Sequence, residues 1–200
     1  YGRNIKGTIL KDGKEIQVNS VGEAIANGIA YVTEDRKGQG LILGQSIREN
    51  ISLPTLRRLS SRGVIRTEEE IGVAEEYLKK LRIKAPGIYQ ATRNLSGGNQ
   101  QKVMLARWLY ADPDVLILDE PTSSLDDREV ANLFAVMKKL KSQGTGIVFV
   151  THFLEQVYEV CDRITVLRNG ELEGEFPIGE LPRVKLVATM LGHEFDELAS

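Results

Sequence analysis

The spacing of apolar and polar positions predicts short strands and one short helix at the beginning of the chain. Two alternating runs flank Asp12-Gly13, a dipeptide typical of the tight turn in a β-hairpin. Gly28 would close the helix that follows, because glycine readily adopts the left-handed conformation at a helix end. In chain order, the predicted elements are a hairpin over 5–18, a helix over 20–28, a strand over 29–35 and a glycine-broken loop over 36–44.

Residues 46–92 have a helical rather than an alternating pattern. The first helical run is broken at Pro54, since proline cannot donate the backbone hydrogen bond that a helix interior needs. Thr67 and Glu70 have the spacing of a capping box, which predicts that another helix begins there. One face of this helix carries Ile71, Ala74, Leu78 and Leu81. Such a stripe is more often core than ligand site, so the segment is interpreted as a mostly helical insert.

An α/β pattern follows from Asn94 onward. Two continuous apolar runs, DVLILDE (114–120) and GIVFVTH (146–152), predict strands buried on both faces, as in a parallel sheet. The other predicted elements are a helix over 100–111, a helix marked by Val130, Leu133, Phe134, Met137 and Leu140 that stops near Gly144, a hairpin over 162–176 with an Asn-Gly turn, and an amphipathic helix over 181–192. Helices that alternate with buried strands indicate the α/β fold class.

Composition restricts the functional classes open to the chain. Of its 200 residues, 42% are hydrophobic and 27% are charged, which is sufficient for a globular core. The formal net charge of −2 gives no basic excess of the kind that nucleic-acid binding favours. Cys161 is the only cysteine, which excludes an internal disulfide framework or a cysteine-rich zinc site and favours a reducing compartment.

Membrane and export signals are not found in the sequence. No apolar run approaches the ~20 residues of a membrane span. The beginning of the chain, YGRNIKG, has no signal-peptide pattern and no initiating methionine. We therefore expect the chain to be a fragment.

The first candidate site is the acidic pair at the end of the run VLILDE (115–120). Open α/β sheets place ligands at the carboxyl ends of their strands, where Asp119 and Glu120 would lie. Asp119 could hold Mg²⁺ beside nucleotide phosphates, directly or through water. Glu120 could orient or polarise an attacking water. Taken alone, the pair is equally consistent with two acidic residues at an exposed strand end.

The second candidate site is the turn NLSGGN (94–99) before the helix of residues 100–111. The free backbone N–H groups at the beginning of a helix form an anion site, and glycine lets a phosphate approach the backbone closely. Ser96, Gly97 and Gly98 could therefore bind phosphate. The alternative is a helix cap, with Ser96 as the N-cap residue.

A histidine follows the second buried strand. His152 lies one strand beyond the acidic pair, so it could reach the same sheet edge and contact a γ-phosphate. A single histidine is more often structural. His193, near the end of the chain, is interpreted as a surface residue.

Together these motifs resemble the nucleotide-binding subunit of an ABC transporter. LSGGN (95–99) is similar to the family signature LSGGQ, VLILDE resembles the Walker B strand, SSLD (123–126) the D-loop, and Thr151-His152 the switch histidine. The resemblance covers essentially the whole chain. It implies a truncated ABC-type nucleotide-binding domain with a parallel RecA-like sheet. The implied divisions are an N-terminal β segment with the Q-loop region over 1–45, a helical subdomain over 46–92, and the signature helix, Walker B strand and remaining core over 93–200.

Longer stretches resemble one subclass of the family. Residues 28–53 and 94–109 are similar to the second cassette of a tandem-cassette importer of ribose, galactose or xylose type, in which the Q-loop position can carry a glutamate, as Glu34 does here. Residues 123–176 instead resemble the first cassette, and the change falls near DEPT (119–122). The chain is therefore interpreted as a hybrid, a fragment or an unusual single cassette.

The phosphate-binding loop of the family is missing from these residues. The pattern G-x-x-x-x-G-K-[ST] does not occur, and GRNIKGT (2–8) has the wrong spacing. The resemblance places such a loop before Tyr1. We therefore expect the chain alone to be inactive as an ATPase.

The resemblance also implies how the site residues act. Two cassettes would sandwich ATP and Mg²⁺ head to tail, with Ser96, Gly97, Gly98 and Asp126 acting in trans. Asp119 as metal ligand, with Glu120 and His152 as catalytic residues, would act on the nucleotide in cis. Glu34 would bind nucleotide at the Q-loop position. The implied partners are a second cassette, membrane permease subunits and, indirectly, a sugar-binding protein outside the membrane, with the chain at the cytoplasmic face. No nucleic-acid partner is implied.

Two alternatives remain open. One is a non-catalytic partner module that lends its signature face to an intact cassette. The other is a nucleic-acid-associated ATPase of the same superfamily, although such proteins carry long coiled coils or basic arms, and neither is visible in the sequence.

Overall fold

The computed structural model describes residues 7–192. The chain divides into two compact units, Tyr1–Val150 and Thr151–Ser200, and each is treated separately. The strands of the first unit are β1 (Ile9–Lys11), β2 (Lys14–Ile16), β3 (Ile29–Val32), β4 (Ser60–Ser61), β5 (Val64–Ile65), β6 (Val115–Asp119) and β7 (Gly146–Val150). Its α-helices are α1 (Val21–Ala26), α2 (Ile47–Ser52), α3 (Leu56–Leu59), α4 (Thr67–Lys80), α5 (Gly97–Tyr110) and α6 (Asp127–Ser142).

The first hairpin and helix form as the sequence predicts. Strands β1 and β2 pair in antiparallel fashion, and Asp12 and Gly13 both adopt positive φ angles, 52° and 74°, as a two-residue hairpin turn requires. Ser20 caps α1, and Gly28 follows the helix with a φ of 70°. The segment after β3 differs from the predicted loop, because Arg36–Gly40 form one π-helical turn. In this turn the Asp35 side chain accepts a hydrogen bond from the backbone of Gly38.

A three-stranded parallel sheet lies at the centre of the first unit. The strand order is β3-β6-β7, with Val32 opposite Leu118 and Asp119 opposite Val150. Because all three strands run in the same direction, their carboxyl ends meet at one edge of the sheet. This edge carries the candidate acidic residues.

Only one face of this sheet is packed as in a core. Helices α5 and α6 contact the face that includes the buried residues Ala30, Leu116 and Leu118, and Phe134 of α6 packs edge-to-face on Phe149 of β7. On the other face, Val148 and Val150 are 49% and 45% exposed. The prediction of burial on both faces was therefore wrong for β7, whereas Val115 and Ile117, on the same face of β6, are half-buried.

The predicted helical segment is interrupted more often than its pattern indicates. Helix α2 begins at a capping box formed by Ser46 and Glu49. Pro54 lies in a 3₁₀ turn, Leu53–Thr55, that leads into α3, so the predicted break is confirmed. Strands β4 and β5 then form a small hairpin that the hydrophobic pattern did not predict.

The predicted capping box at Thr67 and Glu70 is wrong. Residue Arg66 precedes the first turn of α4, and no side chain caps it. Glu70 instead points into the interior, where it accepts a hydrogen bond from Ser52 Oγ at 2.6 Å and pairs with Arg48 at 3.3 Å. These tertiary partners outcompete the local one because they satisfy a carboxylate that is buried.

A buried arginine joins three parts of the first unit. Arg107 of α5 donates hydrogen bonds to the carbonyl oxygen of Asn50 at 2.8 Å, to the Asn50 side chain at 2.5 Å and to the carbonyl oxygen of Gly40. Burial lowers the pKa of Arg107 to about 10, so the guanidinium remains charged at neutral pH. This network connects α5 to α2 and to the end of the π-helical turn.

The second unit is a hairpin packed against helices. Its elements are α7 (Leu154–Val160), β8 (Arg163–Arg168), β9 (Glu171–Pro177) and α8 (Arg183–Leu191). The predicted Asn-Gly turn is confirmed, with Asn169 and Gly170 at φ angles of 53° and 84°. The core of this unit contains Ile164, Val166, Leu181 and Leu186. Across residues 7–192, no helix is both long and apolar enough to cross a membrane.

Candidate functional site

The acidic pair lies at the carboxyl end of the central strand, as predicted. Asp119 is the last residue of β6, and its Oδ2 atom accepts a hydrogen bond from the hydroxyl of Tyr31 on β3 at 2.7 Å. This hydrogen bond to the carboxylate is the main reason that the pKa of Tyr31 is raised, and burial adds to it. The contact fixes the orientation of Asp119 from the neighbouring strand.

Glu120 has an unusual backbone conformation. Its φ angle is 44°, in the left-handed region that costs a residue with a Cβ atom roughly 1–2 kcal/mol. The Glu120 amide donates a hydrogen bond to the carbonyl oxygen of Val150 at 3.0 Å, which ties it to the end of β7. Backbone strain held by neighbouring structure is common at functional sites.

Glu34 lies at the same edge of the sheet, two residues after Val32, the last residue of β3. Its side chain is exposed. Within residues 7–192, no group of three or more His, Cys, Asp or Glu side chains could enclose a metal ion. The acidic edge nevertheless suits Mg²⁺, which is usually held by one or two carboxylates and takes its remaining ligands from phosphate and water.

The turn before α5 is a well-formed helix cap. Ser96 Oγ accepts hydrogen bonds from the backbone N–H of Asn99 at 3.4 Å and from its side-chain amide at 2.8 Å. The Asn99 side chain in turn accepts a hydrogen bond from the backbone of Lys84. The cap is therefore connected to the segment that follows α4, and it leaves Ser96 itself exposed.

The two glycines of the turn lie against other parts of the first unit. The carbonyl oxygen of Gly97 accepts a hydrogen bond from Arg36 Nη1 at 2.8 Å. A Cβ atom on Gly98 would lie 2.9 Å from Glu129 Oε2 and 3.1 Å from the carbonyl oxygen of Ser124. Since the second of these contacts is to backbone, a larger residue at position 98 would displace the segment that carries Ser124.

The segment with Asp126 therefore adjoins the turn. Asp126 caps α6 in a capping box with Glu129. The Asp126 side chain accepts a hydrogen bond from the backbone N–H of Glu129 at 2.8 Å. Glu129 also pairs with Lys102 of α5 at 2.7 Å. This ion pair holds the beginning of α6 beside the beginning of α5.

The two histidines are less informative. His152 is exposed and belongs to the second unit, where its ring lies 4.1 Å from that of Phe153. That His152 contacts a γ-phosphate stays a prediction. His193 lies outside the described residues.

Three residues that hold the site together were not predicted from the sequence. Tyr31 contacts Asp119 across 88 positions of sequence, and Arg36 contacts Gly97 across 61. Lys102 lies in the helix predicted over 100–111, but the sequence did not identify it as part of the site. Period-two alternation in β3 places Tyr31 on the less buried face, but no local signal identifies the partner of Arg36.

The fold corresponds to solved ATP-binding cassettes. A dimeric post-hydrolysis structure of the ATP-binding cassette MJ0796, bound to ADP and Pi, matches 86% of this chain and 74% of its own, with a TM-score of 0.73 and 26% identity. The ADP conformation of MJ1267, an ATP-binding cassette of an ABC transporter, matches 94% of this chain and 76% of its own, with a TM-score of 0.71 and 22% identity. The predicted fold class is confirmed.

Sequence comparison identifies the family. The profile described as "ABC transporter" matches residues 2–123. The L-arabinose transport ATP-binding protein AraG of Geobacillus stearothermophilus is 44% identical over 190 residues, which are 95% of this chain and 37% of AraG. The xylose import ATP-binding protein XylG of Thermoanaerobacter pseudethanolicus is 43% identical over 94% of this chain and 37% of its own length. This chain therefore belongs to the ABC transporter family, and it spans little more than a third of these relatives.

Proposed function

We propose that this chain is part of the ATP-hydrolysing subunit of an ABC importer for monosaccharides. The observation that carries the proposal is the acidic pair at the carboxyl edge of a parallel sheet, with Asp119 oriented by Tyr31. The relatives named for arabinose and xylose transport support a sugar as the cargo. We also infer that the helical subdomain, residues 46–92, transmits the coupling to permease subunits.

Four residues would act on a nucleotide bound to the same cassette. Asp119 would hold Mg²⁺, which neutralises phosphate charge when it is bound. Glu120 would accept the proton of the attacking water, and His152 would contact the γ-phosphate. Glu34 would lie at the Q-loop position near the same phosphates.

The other site residues would act on a nucleotide held by a partner cassette. Ser96, Gly97 and Gly98 would bind its γ-phosphate with the Ser96 hydroxyl and the backbone N–H groups at the beginning of α5. Asp126 would reach across the interface from the beginning of α6. The proximity of Gly98 to Ser124 supports a single surface for this set. The proposed location is peripheral, at the cytoplasmic face of the membrane, with a second cassette and permease subunits as partners.

The test is the substitution Glu120→Gln in a form of the protein that includes the family's phosphate-binding loop (P-loop). Turnover should fall by roughly 10²–10⁴-fold, because the amide keeps the size and hydrogen bonding of the side chain but cannot accept the proton. Binding of ATP should be retained. Steady-state phosphate release and equilibrium nucleotide binding are the two measurements.

Glu159→Gln is the matched control, since it makes the same chemical change at an exposed residue of α7. It should leave both measurements unchanged. Near-normal phosphate release by Glu120→Gln would show that Glu120 is not the base.

A further inference from the structure

A strongly basic segment lies between α2 and α4 and takes no part in the proposed nucleotide site. Between Glu49 and Glu68 the sequence contains four arginines and no acidic residue, although the whole chain has a net charge of −2. The arginines are Arg57, Arg58, Arg62 and Arg66. We call residues 57–66 the basic hairpin, because they include β4, β5 and the turn between them.

Two of the arginines hold the base of this hairpin. Arg66 donates a hydrogen bond to the carbonyl oxygen of Arg58 at 2.6 Å and pairs with Glu69 at 2.5 Å. The Arg58 guanidinium lies 5.6 Å from the centre of the Tyr110 ring. The backbone N–H of Arg66 donates to the carbonyl oxygen of the buried residue Leu59. The hairpin is thus anchored to α3, α4 and the end of α5.

The other two arginines have no such structural role. Among residues 7–192, the guanidinium groups of Arg57 and Arg62 have no hydrogen-bond or ion-pair partner, and both side chains are exposed. Arg62 lies in the turn with a φ of 51°, next to Gly63 at 81°. This turn geometry favours asparagine or glycine at both positions, so it does not explain an arginine.

Apolar side chains are also exposed in the basic hairpin. Residues 61–69 are exposed without interruption. Val64, on the strand that leaves the turn, is 71% exposed, and Ile65 is 40% exposed. Neither side chain contributes to the core of the first unit, so burying them against a partner would be favourable.

We propose that the basic hairpin is a docking element for anionic phospholipid headgroups at a membrane surface. Each arginine near an anionic leaflet contributes attraction, while a small apolar side chain beside it can enter the boundary between headgroups and acyl chains. A soluble polyanion would engage the cations but leave Val64 and Ile65 in water. The combination of charge and exposed apolar surface on one hairpin therefore favours a bilayer. The proposal does not depend on ATP hydrolysis.

The experiment is sedimentation of the chain with lipid vesicles. Vesicles with roughly 30 mol% phosphatidylglycerol in phosphatidylcholine should bind the chain, and vesicles of pure phosphatidylcholine should bind it much less. Raising the salt from about 0.1 M to about 1 M should remove most of the binding, since it shortens the Debye length from about 10 Å to about 3 Å. Nucleotide is omitted, so a negative result leaves the proposed ATPase function untouched.

Substitutions then locate the contact. The double variant Arg57→Gln, Arg62→Asn should weaken binding to anionic vesicles by roughly 25-fold, or about 5-fold for each arginine. Asparagine tolerates the left-handed turn, so the hairpin should be retained, as circular dichroism can verify. The variant Arg57→Lys, Arg62→Lys keeps both charges and should bind nearly as well as the original chain. Val64→Ser should weaken binding several-fold without changing the salt dependence.

The matched control is Lys138→Gln, Lys139→Gln, which removes the same net charge from exposed positions on α6. It should lower binding far less than the hairpin variant. The proposal would be overturned by an equal loss in both double variants, by no loss in the hairpin variant, or by equal binding of the chain to neutral vesicles.

Polyglutamate and a DNA duplex serve as soluble polyanions in a second test. If the hairpin variant affected binding to these polymers but not to vesicles, the partner would be a soluble polyanion and the membrane assignment would be wrong.

Discussion

At the scale of single residues, Ser96 has two proposed roles, and substitutions at this position can separate them. Its hydroxyl caps α5 through Asn99, and the same hydroxyl is proposed to bind a γ-phosphate on a partner cassette. If Ser96 only caps the helix, Ser96→Ala should cost ~1 kcal/mol of folding free energy and have no other effect. If it also acts in trans, Ser96→Arg should place a bulky cation where the phosphate binds and abolish the activity that depends on it.

The measurement mixes this chain with an intact cassette whose own signature is disabled, and follows ATP hydrolysis by that cassette. The original chain should raise the rate, and Ser96→Arg should not. The control is Ser20→Arg, because Ser20 caps α1 in a similar way through the backbone of Glu23. If Ser96→Arg stimulates as well as the original chain while remaining folded, the turn is a structural cap only.

At the scale of elements, one glutamate joins two helices of the predicted subdomain. Glu70 of α4 is buried and contacts Ser52 and Arg48 of α2. Glu70→Ala would leave these partners without their carboxylate, so we expect a loss of about 2–4 kcal/mol in the free energy of unfolding. Urea titration provides this value, and the slope with denaturant should stay the same.

The neighbouring residue is a natural control for this prediction. Glu69 also pairs with an arginine, but its ion pair with Arg66 lies on the surface. Glu69→Ala should therefore cost less than about 1 kcal/mol. Similar losses for the two variants would show that Glu70 does not join α2 and α4 energetically.

At the scale of the whole molecule, one prediction concerns the phosphate-binding loop, whose pattern does not occur in these 200 residues. Such a loop provides backbone N–H groups and a lysine that bind the β- and γ-phosphates, and none of the 200 residues matches its pattern. We expect the chain alone to bind Mg-ATP weakly or not at all. Titration calorimetry is the measurement, and a form of the protein joined to a P-loop segment is the positive control. Micromolar affinity of the chain alone would contradict the expectation.

Local features of the sequence determined several elements and the candidate motifs. The Asp12-Gly13 and Asn169-Gly170 turns follow from the preference of these residues for positive φ angles, and both were predicted. The acidic strand end and the Ser-Gly-Gly turn were also recognised, because each consists of contiguous residues whose chemistry is evident without a partner. The family resemblance rested on the order of these short motifs, and the comparisons confirm it.

Only the tertiary structure decided which surfaces are buried and which residues distant in sequence contact one another. The apolar runs of β6 and β7 could not reveal that a single sheet face is packed against α5 and α6, since burial depends on elements distant in sequence. Glu70 fitted a local capping pattern, yet its partners are in another helix. The hydrogen bonds from Tyr31 to Asp119 and from Arg36 to Gly97 span 88 and 61 positions. Periodicity and turn preferences act over a few residues, whereas these contacts exist only after the chain has folded and brought the two partners together.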